Sequence, residues 1–336
     1  MHDAFDVTTF GTEPLPLVVS PKRSTSAAEF LELLKNERAW LSQRLLEHGG
    51  LLFRDWPVED AHDFQAAIDA LGTGSAVNYI GGDSPRTKIV GSVYSSTEAP
   101  ADMTIPLHNE LSFVRHYPKH IFFYCERAPV ERGETILGDA RRVYRALDPE
   151  VRERFVARQL KYVSAYYGKS LIMDVVNAFQ RSHKSWYEVF ETRERDEVER
   201  LCREHDFEFR WHGRERNWIQ ISQTRPAAIT HPETREWVWF CQPHLYDFNP
   251  RLLGGWRFVG ARMFYARPHT RLHEVFHADG GRVAREDLYH VMDVLEANTI
   301  RFAWHRRDVL VLDNVLSMHG RASFDGARRI LAAMTG

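Results

Sequence analysis

The chain has 336 residues, 43% of them hydrophobic, and a formal net charge of −2. This length and apolar content allow a sizeable core, in two domains or in one large β-rich domain with insertions. Acids and bases are interspersed, which argues against a dominant nucleic-acid or membrane footprint.

Cys125, Cys202 and Cys241 are scattered and odd in number. They form neither a disulfide framework nor a zinc spacing, and they read as reduced thiols in a cytoplasm. The start, Met1 to Phe10, lacks a basic stretch followed by an apolar run, so no signal peptide is expected. No apolar run approaches the roughly 18 residues of a membrane span.

Residues 1–25 hold Pro14, Pro16 and Pro21 and read as an extended lead-in. Thr25 or Ser26 can cap a helix carrying Phe30, Leu33, Leu34, Trp40, Leu41 and Leu45, which Gly49-Gly50 ends. Leu51-Leu52-Phe53 follows as a short buried strand. Asp60 starts a second helix through Phe64, Ala67, Ile68 and Leu71, closed by Gly72. Residues 73–104 are rich in Gly, Ser and Thr and irregular, with a strand over 88–94; they serve as surface loop or as a flap over a substrate.

His120 to Cys125 reads as a buried strand. Gly133 to Asp139 is another, and Ala140 to Leu147 starts a helix. Residues 150–205 read as mostly helical, with Glu194 to Glu204 a solvated helix face. Phe207 to Trp211 alternates as a strand. Residues 226–230 and 236–240 flank a turn at 231–234. Residues 243–295 read as an irregular insertion plus a helix with Leu288, Val291, Met292 and Leu295. Strands over 307–312 and 328–334 close the chain. Many short strands, Gly/Pro turns and helices placed early or in insertions predict a mainly β sandwich or jelly roll with helical additions. No GxGxxG, P-loop or Gly-x-Ser-x-Gly pattern is present.

The chemistry concentrates at Ile105-Pro106-Leu107-His108-Asn109-Glu110-Leu111-Ser112-Phe113. On an extended segment His108 and Glu110, two residues apart, point to one side. His319 follows the apolar run Val309 to Leu312. Two histidines and a carboxylate on one face of a metal leave open positions and suit non-haem Fe(II) that activates O₂. A chain with 17 histidines can also show an His-x-Glu pair by chance. The setting favours the metal: His319 ends an apolar stretch, and Arg328-Arg329 follow nine and ten residues later.

With these residues in view, the chain resembles the taurine dioxygenase/TfdA-like family of Fe(II)- and 2-oxoglutarate-dependent dioxygenases. Within it, the clavaminate-synthase-like and syringomycin-biosynthesis-like branch is the nearer likeness. Ile105–Ser112, Tyr117–Leu147, Arg225–Gln242 and Asp308–Met334 carry it, with the metal motif, Thr135 and the final arginine in the family's order.

The resemblance implies a double-stranded β-helix and a single dioxygenase domain over residues 1–336, with lid or insert segments 73–104, 160–205 and 243–295. It implies Fe(II) held by His108, Glu110 and His319, with 2-oxoglutarate and O₂ as co-substrates, and 2-oxoglutarate decarboxylated to succinate and CO₂ as the substrate is oxidised. Related halogenases carry Ala or Gly at the carboxylate position, so Glu110 argues for hydroxylation, desaturation or epoxidation and against halogenation. A fixed arginine must pair with the distal carboxylate of 2-oxoglutarate, because its planar fork matches that group. On a strand Arg328 and Arg329 face opposite ways, so one of them enters the site. The Gly-x-Arg-Lys pattern of related sequences favours Arg328, whereas alignment on Arg-Arg-Ile favours Arg329.

Thr135 matches the threonine that assists this carboxylate; its bland reading is a β-branched strand residue. Arg321 resembles a recurrent arginine that binds substrate or buttresses the site. Asn109, between two ligands, points away from iron and suits a structural hydrogen bond. Trp239-Phe240-Cys241-Gln242 departs from the family's Asn-Gln pairing at Cys241, where a buried structural thiol is expected. The stretch Gly168 to Lys184 reads as an insertion, over the iron or peripheral. The substrate is expected to be an amino-acid-like small molecule of a specialised biosynthetic pathway, free, in a peptide-like conjugate or tethered to a carrier protein. A non-catalytic jelly-roll binding protein and a hydrolytic zinc enzyme are the rival readings.

Overall fold

The structure, a computed structural model, describes residues 4–77, 87–96, 100–170, 173, 184–214, 217–264 and 271–336. Its framework is two sheets laid face to face. The larger has eight strands in the order Phe5–Phe10, Glu13–Pro21, Gly50–Phe53, Val309–Asp313, His120–Arg127, Arg329–Thr335, Val93–Ser95 and Lys88–Val90. The smaller runs Ile300–Phe302, Thr135–Asp139, Ser317–Arg321, Ile105–His108. This is the double-stranded β-helix, or jelly roll, with helical additions.

Strand periodicity explains the layering. Phe122, Tyr124, Val309, Val311, Leu331 and Ala333 pack toward the helices Ala27–Asn36, Arg38–His48 and Ala61–Leu71. Their neighbours Ile121, Phe123, Cys125, Leu310, Leu312, Ile330 and Ala332 turn the other way and meet Leu137, Ile300 and Phe302. Both faces are covered, so these strands read as unbroken apolar runs rather than alternating ones. Each fully buried Leu, Ile, Val or Phe contributes about 1.5–3 kcal/mol.

Local signals set the helix ends. Ser26 and Glu29 form a reciprocal capping box, and Gly49 ends the second helix in a left-handed conformation at φ 77°. The expected single helix after Ser26 is two helices divided at Glu37. Asp60 accepts from the backbone N–H of His62 and Asp63 to start the third.

Several expectations are corrected. The lead-in 1–25 holds the paired strands Phe5–Phe10 and Glu13–Pro21, the latter joining Gly50–Phe53 in parallel. The stretch over 88–94 is a hairpin, Lys88–Val90 with Val93–Ser95. Within the "helical" 150–205, Leu160–Tyr167 is the centre of another sheet, between Trp218–Arg225 and His273–His277. The last of these also falls inside the supposed irregular insertion 243–295. Leu160–Tyr167 is buried along almost its whole length, so it shows no alternation to mark it as a strand. Most of the stretch Gly168 to Lys184, and parts of the segments 73–104 and 243–295, lie outside the described residues. Among the described residues no helix is long and apolar enough to cross a membrane.

Candidate metal centre

Ser317–Arg321 runs through the smaller sheet between Thr135–Asp139 and Ile105–His108. Period-two alternation turns His319 and Arg321 into the pocket between the sheets and sends Met318 to the opposite core. His319 is paired with Leu137 on one side and with His108 on the other. Close crossing of the strands requires Gly320, because a Cβ there would lie 2.4 Å from the carbonyl oxygen of Ile105.

The structure brings His108, Glu110 and His319 together. One donor atom from each lies within 4.8 Å of the others, and the set could hold a metal ion. The two imidazole centroids are 4.4 Å apart, and Glu110 Oε2 is 3.7 Å from His319 Nε2. Glu110, however, is not on a strand. The strand ends at His108, and Glu110 sits in the turn that follows, ahead of Leu111 at φ 56°. Shared strand geometry therefore does not bring it beside His108.

That turn is held by side chains. Asn314 Oδ1 accepts from Glu110 N–H at 2.8 Å, and Asn314 Nδ2 donates to Glu110 O at 2.9 Å. Asn109 is fully buried and points away from the pocket, donating to the carbonyls of Asn314 and Ser317.

Electrostatics suit the histidines to ligation. His108 Nδ1 lies 2.9 Å from the Pro106 carbonyl and donates to it, which leaves Nε2 with a free lone pair. Burial, then the neighbouring His319, pushes the His108 pKa down to about 3, so the imidazole is neutral at physiological pH.

The same pocket holds Thr135, Arg321 and Arg328, walled by Phe123, Ile330 and Ala332. Arg328 Nε donates to Gly133 O at 3.0 Å, and its Nη2 is 3.5 Å from Thr135 Oγ1. Burial, then Arg321, pushes its pKa down to about 10. No carboxylate pairs with Arg328 among the described residues. A part-buried guanidinium with only neutral partners among the described residues is a ready seat for an anion. Arg329 points outward, with a side chain 56% exposed and paired to Glu126 at 2.7 Å.

Thr135 Oγ1 also accepts from Trp304 Nε1 at 3.0 Å, so its own proton is free to donate into the pocket. Arg321 Nη2 donates to the carbonyls of Pro100 and Met103 and stacks its guanidinium over Phe324. Cys241 is fully buried. Nothing in the sequence alone assigns Asn314 or Gly320 a role at this site, and Trp304 reads there as core or lid packing. The visible signal for Asn314 was a polar pair, Asp313-Asn314, closing a buried apolar strand.

A jelly roll that gathers two imidazoles, a carboxylate and a part-buried arginine with no carboxylate partner among the described residues into one pocket suits the non-haem iron, 2-oxoglutarate-dependent dioxygenases. Residues 11–335 match the family described as "Taurine catabolism dioxygenase TauD, TfdA family", and the chain belongs to that family. It is an enzyme using Fe(II), 2-oxoglutarate and O₂.

Among similar proteins, a clavaminate synthase-like protein of Arabidopsis thaliana is 28% identical over 335 residues, covering 97% of this chain and 94% of its own. The dapdiamide synthesis protein DdaC of Enterobacter agglomerans is 30% identical over 313 residues, covering 93% and 88%. The crystal structure of AAD-2 in complex with Mn(II) and N-oxalylglycine superposes with a TM-score of 0.54 at 13% identity, covering 98% and 96%. At that identity the structural likeness speaks for the fold alone.

Proposed function

We propose that this chain oxidises an amino-acid-like small molecule in a specialised biosynthetic pathway, by hydroxylation, desaturation or epoxidation. The substrate is free, in a peptide-like conjugate or tethered to a carrier protein, and the enzyme works in the cytoplasm as a single domain. The observation that carries the reading is one pocket holding both the His108, Glu110, His319 set and Arg328, which has no carboxylate partner among the described residues. The kinship to a dapdiamide synthesis protein supports the substrate class.

Each residue has a role in this reading. His108, Glu110 and His319 bind Fe(II). Arg328 pairs with the distal carboxylate of 2-oxoglutarate, and the Thr135 hydroxyl, oriented by Trp304, donates to the same group. Arg329 is a surface charge. Arg321 holds residues 100–103 beside the pocket, so its role is to buttress that strap rather than to bind substrate. Asn109 is structural. When bound, iron and 2-oxoglutarate supply the oxidising power, while the protein fixes their orientation and excludes side reactions. As a metal ligand, Glu110 would take the place that a halide needs, which supports hydroxylation, desaturation or epoxidation over chloride transfer.

The test is an anaerobic titration of metal-free protein with Fe(II) and then 2-oxoglutarate, followed by a screen of amino-acid-like compounds for coupled succinate release. A weak visible charge-transfer band and substrate-dependent succinate are expected. Folded protein that gives no band under saturating Fe(II) and 2-oxoglutarate would sink the proposal.

A further inference from the structure

We infer that Asn314 is a positioning residue for the carboxylate ligand, gripping the Glu110 peptide as a neighbouring strand would. Strand pairing stops at His319 opposite His108, so among the described residues the ladder of Ile105–His108 ends two residues before Glu110. The Asn314 side chain takes the ladder's place. Its Oδ1 accepts from Glu110 N–H at 2.8 Å and its Nδ2 donates to Glu110 O at 2.9 Å, the two-point exchange that a neighbouring strand would make.

The second amide proton of Asn314 donates to Pro118 O at 2.8 Å. These partners fix the amide's orientation. Turning it over would set its NH₂ against an N–H and its oxygen against two carbonyls. All of this is fully buried, with Asn314 and Asn109 both at 0% exposure. Backbone bonds complete the clasp: Asn314 N–H donates to Lys119 O at 2.8 Å, and Asn314 O accepts from Asn109 Nδ2 at 2.7 Å.

The geometry links the ligands in both directions. Asn314 lies five residues before His319 on the segment that carries it, and its amide grips the segment that carries His108 and Glu110. The peptide of Glu110 is thereby held at a set place relative to His319, on a turn with a left-handed residue next in line. Hydrogen bonds that orient ligands typically change metal affinity about 10–100-fold when removed.

The inference rests on the reading of Glu110 as a metal ligand, and the experiment separates the two. Co(II) affinity and the Co(II) visible spectrum are measured on metal-free protein for wild type, Asn314→Asp, Asn314→Leu, Glu110→Ala and His231→Asn. Unfolding midpoints are measured alongside. Asn314→Asp keeps the acceptor for Glu110 N–H and loses both donors. It should bind Co(II) roughly 10–100-fold more weakly, with an altered spectrum.

His231→Asn is the structural control. It disturbs the His231–Asp313 contact at 3.1 Å, next to Asn314 in sequence, and removes neither of the Asn314–Glu110 bonds. It should lower the unfolding midpoint and leave affinity and spectrum as in wild type. Should Asn314→Leu fail to fold, Asn314→Asp decides alone. Wild-type affinity and spectrum in Asn314→Asp, with Glu110→Ala impaired, would overturn the inference and leave the ligand set intact. Wild-type affinity in Glu110→Ala would instead overturn the ligand assignment itself.

Discussion

Truncating Arg328 tests the anion seat most directly. Its guanidinium is part-buried, donates to Gly133 O and Thr135 Oγ1, and faces no carboxylate among the described residues. Arg329 is 56% exposed and already paired with Glu126. Removing one partner of a buried, hydrogen-bonded charge pair costs about 2–5 kcal/mol. That corresponds to roughly 30-fold to several-thousand-fold in affinity. An exposed pair contributes less than about 1 kcal/mol. Calorimetric titration of Mn(II)-loaded protein with 2-oxoglutarate should therefore show a large rise in Kd for Arg328→Ala and a change of at most a few-fold for Arg329→Ala. The reverse ranking would exchange the two assignments. Small, equal effects would remove the anchor from this strand altogether.

Other outcomes follow from the same geometry. His319→Ala should lose Fe(II) binding at micromolar metal while its far-ultraviolet circular dichroism stays native; full turnover in that variant would refute the ligand set. Product formed in chloride-containing buffer should carry no chlorine by mass spectrometry, whereas a chlorinated product would refute the role given to Glu110. Metal-free protein should also lose stability in mild acid. His244 is fully buried against Leu107 O at 3.0 Å, and burial pushes its pKa from 6.5 down to about 4. The unfolded imidazole takes up its proton first as pH falls, so the His244 share of stability is lost between pH 6.5 and about 4, about 2 kcal/mol of it by pH 5, and buried His108 adds to the drop. Urea midpoints at pH 7 and pH 5 should record that drop, and His244→Gln should shrink it; an unchanged drop would refute the attribution.

The jelly roll and the pocket were legible in the sequence to different depths. The apolar runs 121–125 and 309–312 stand out because strands covered on both faces keep no polar alternation. Leu160–Tyr167 was equally buried, yet the charged helices around it in sequence drew the reading toward helix. His108, Glu110 and His319 are named from the His-x-Glu spacing, from a histidine that follows an apolar run, and from the family resemblance, and the structure brings the three together. The bonds that hold them are not legible in the sequence. Asn314 reaches Glu110 across 204 residues of sequence, and no local spacing encodes that contact. The choice between Arg328 and Arg329 depended on where the last strand starts, at Arg329, a boundary that side-chain pattern alone leaves loose by a residue or more.

The turn that carries Glu110 has a consequence for how such an enzyme changes over generations. His319 is woven into the sheet between two neighbours, and its adjoining glycine is packed against a carbonyl, so replacements there unsettle the framework. Glu110 is held through its peptide group, and its side chain carries none of those bonds. A replacement at 110 leaves the clasp made by Asn314 in place. The chemistry of the pocket is thus separable from its architecture at this position, and a lineage can explore new reactions there with the barrel left whole.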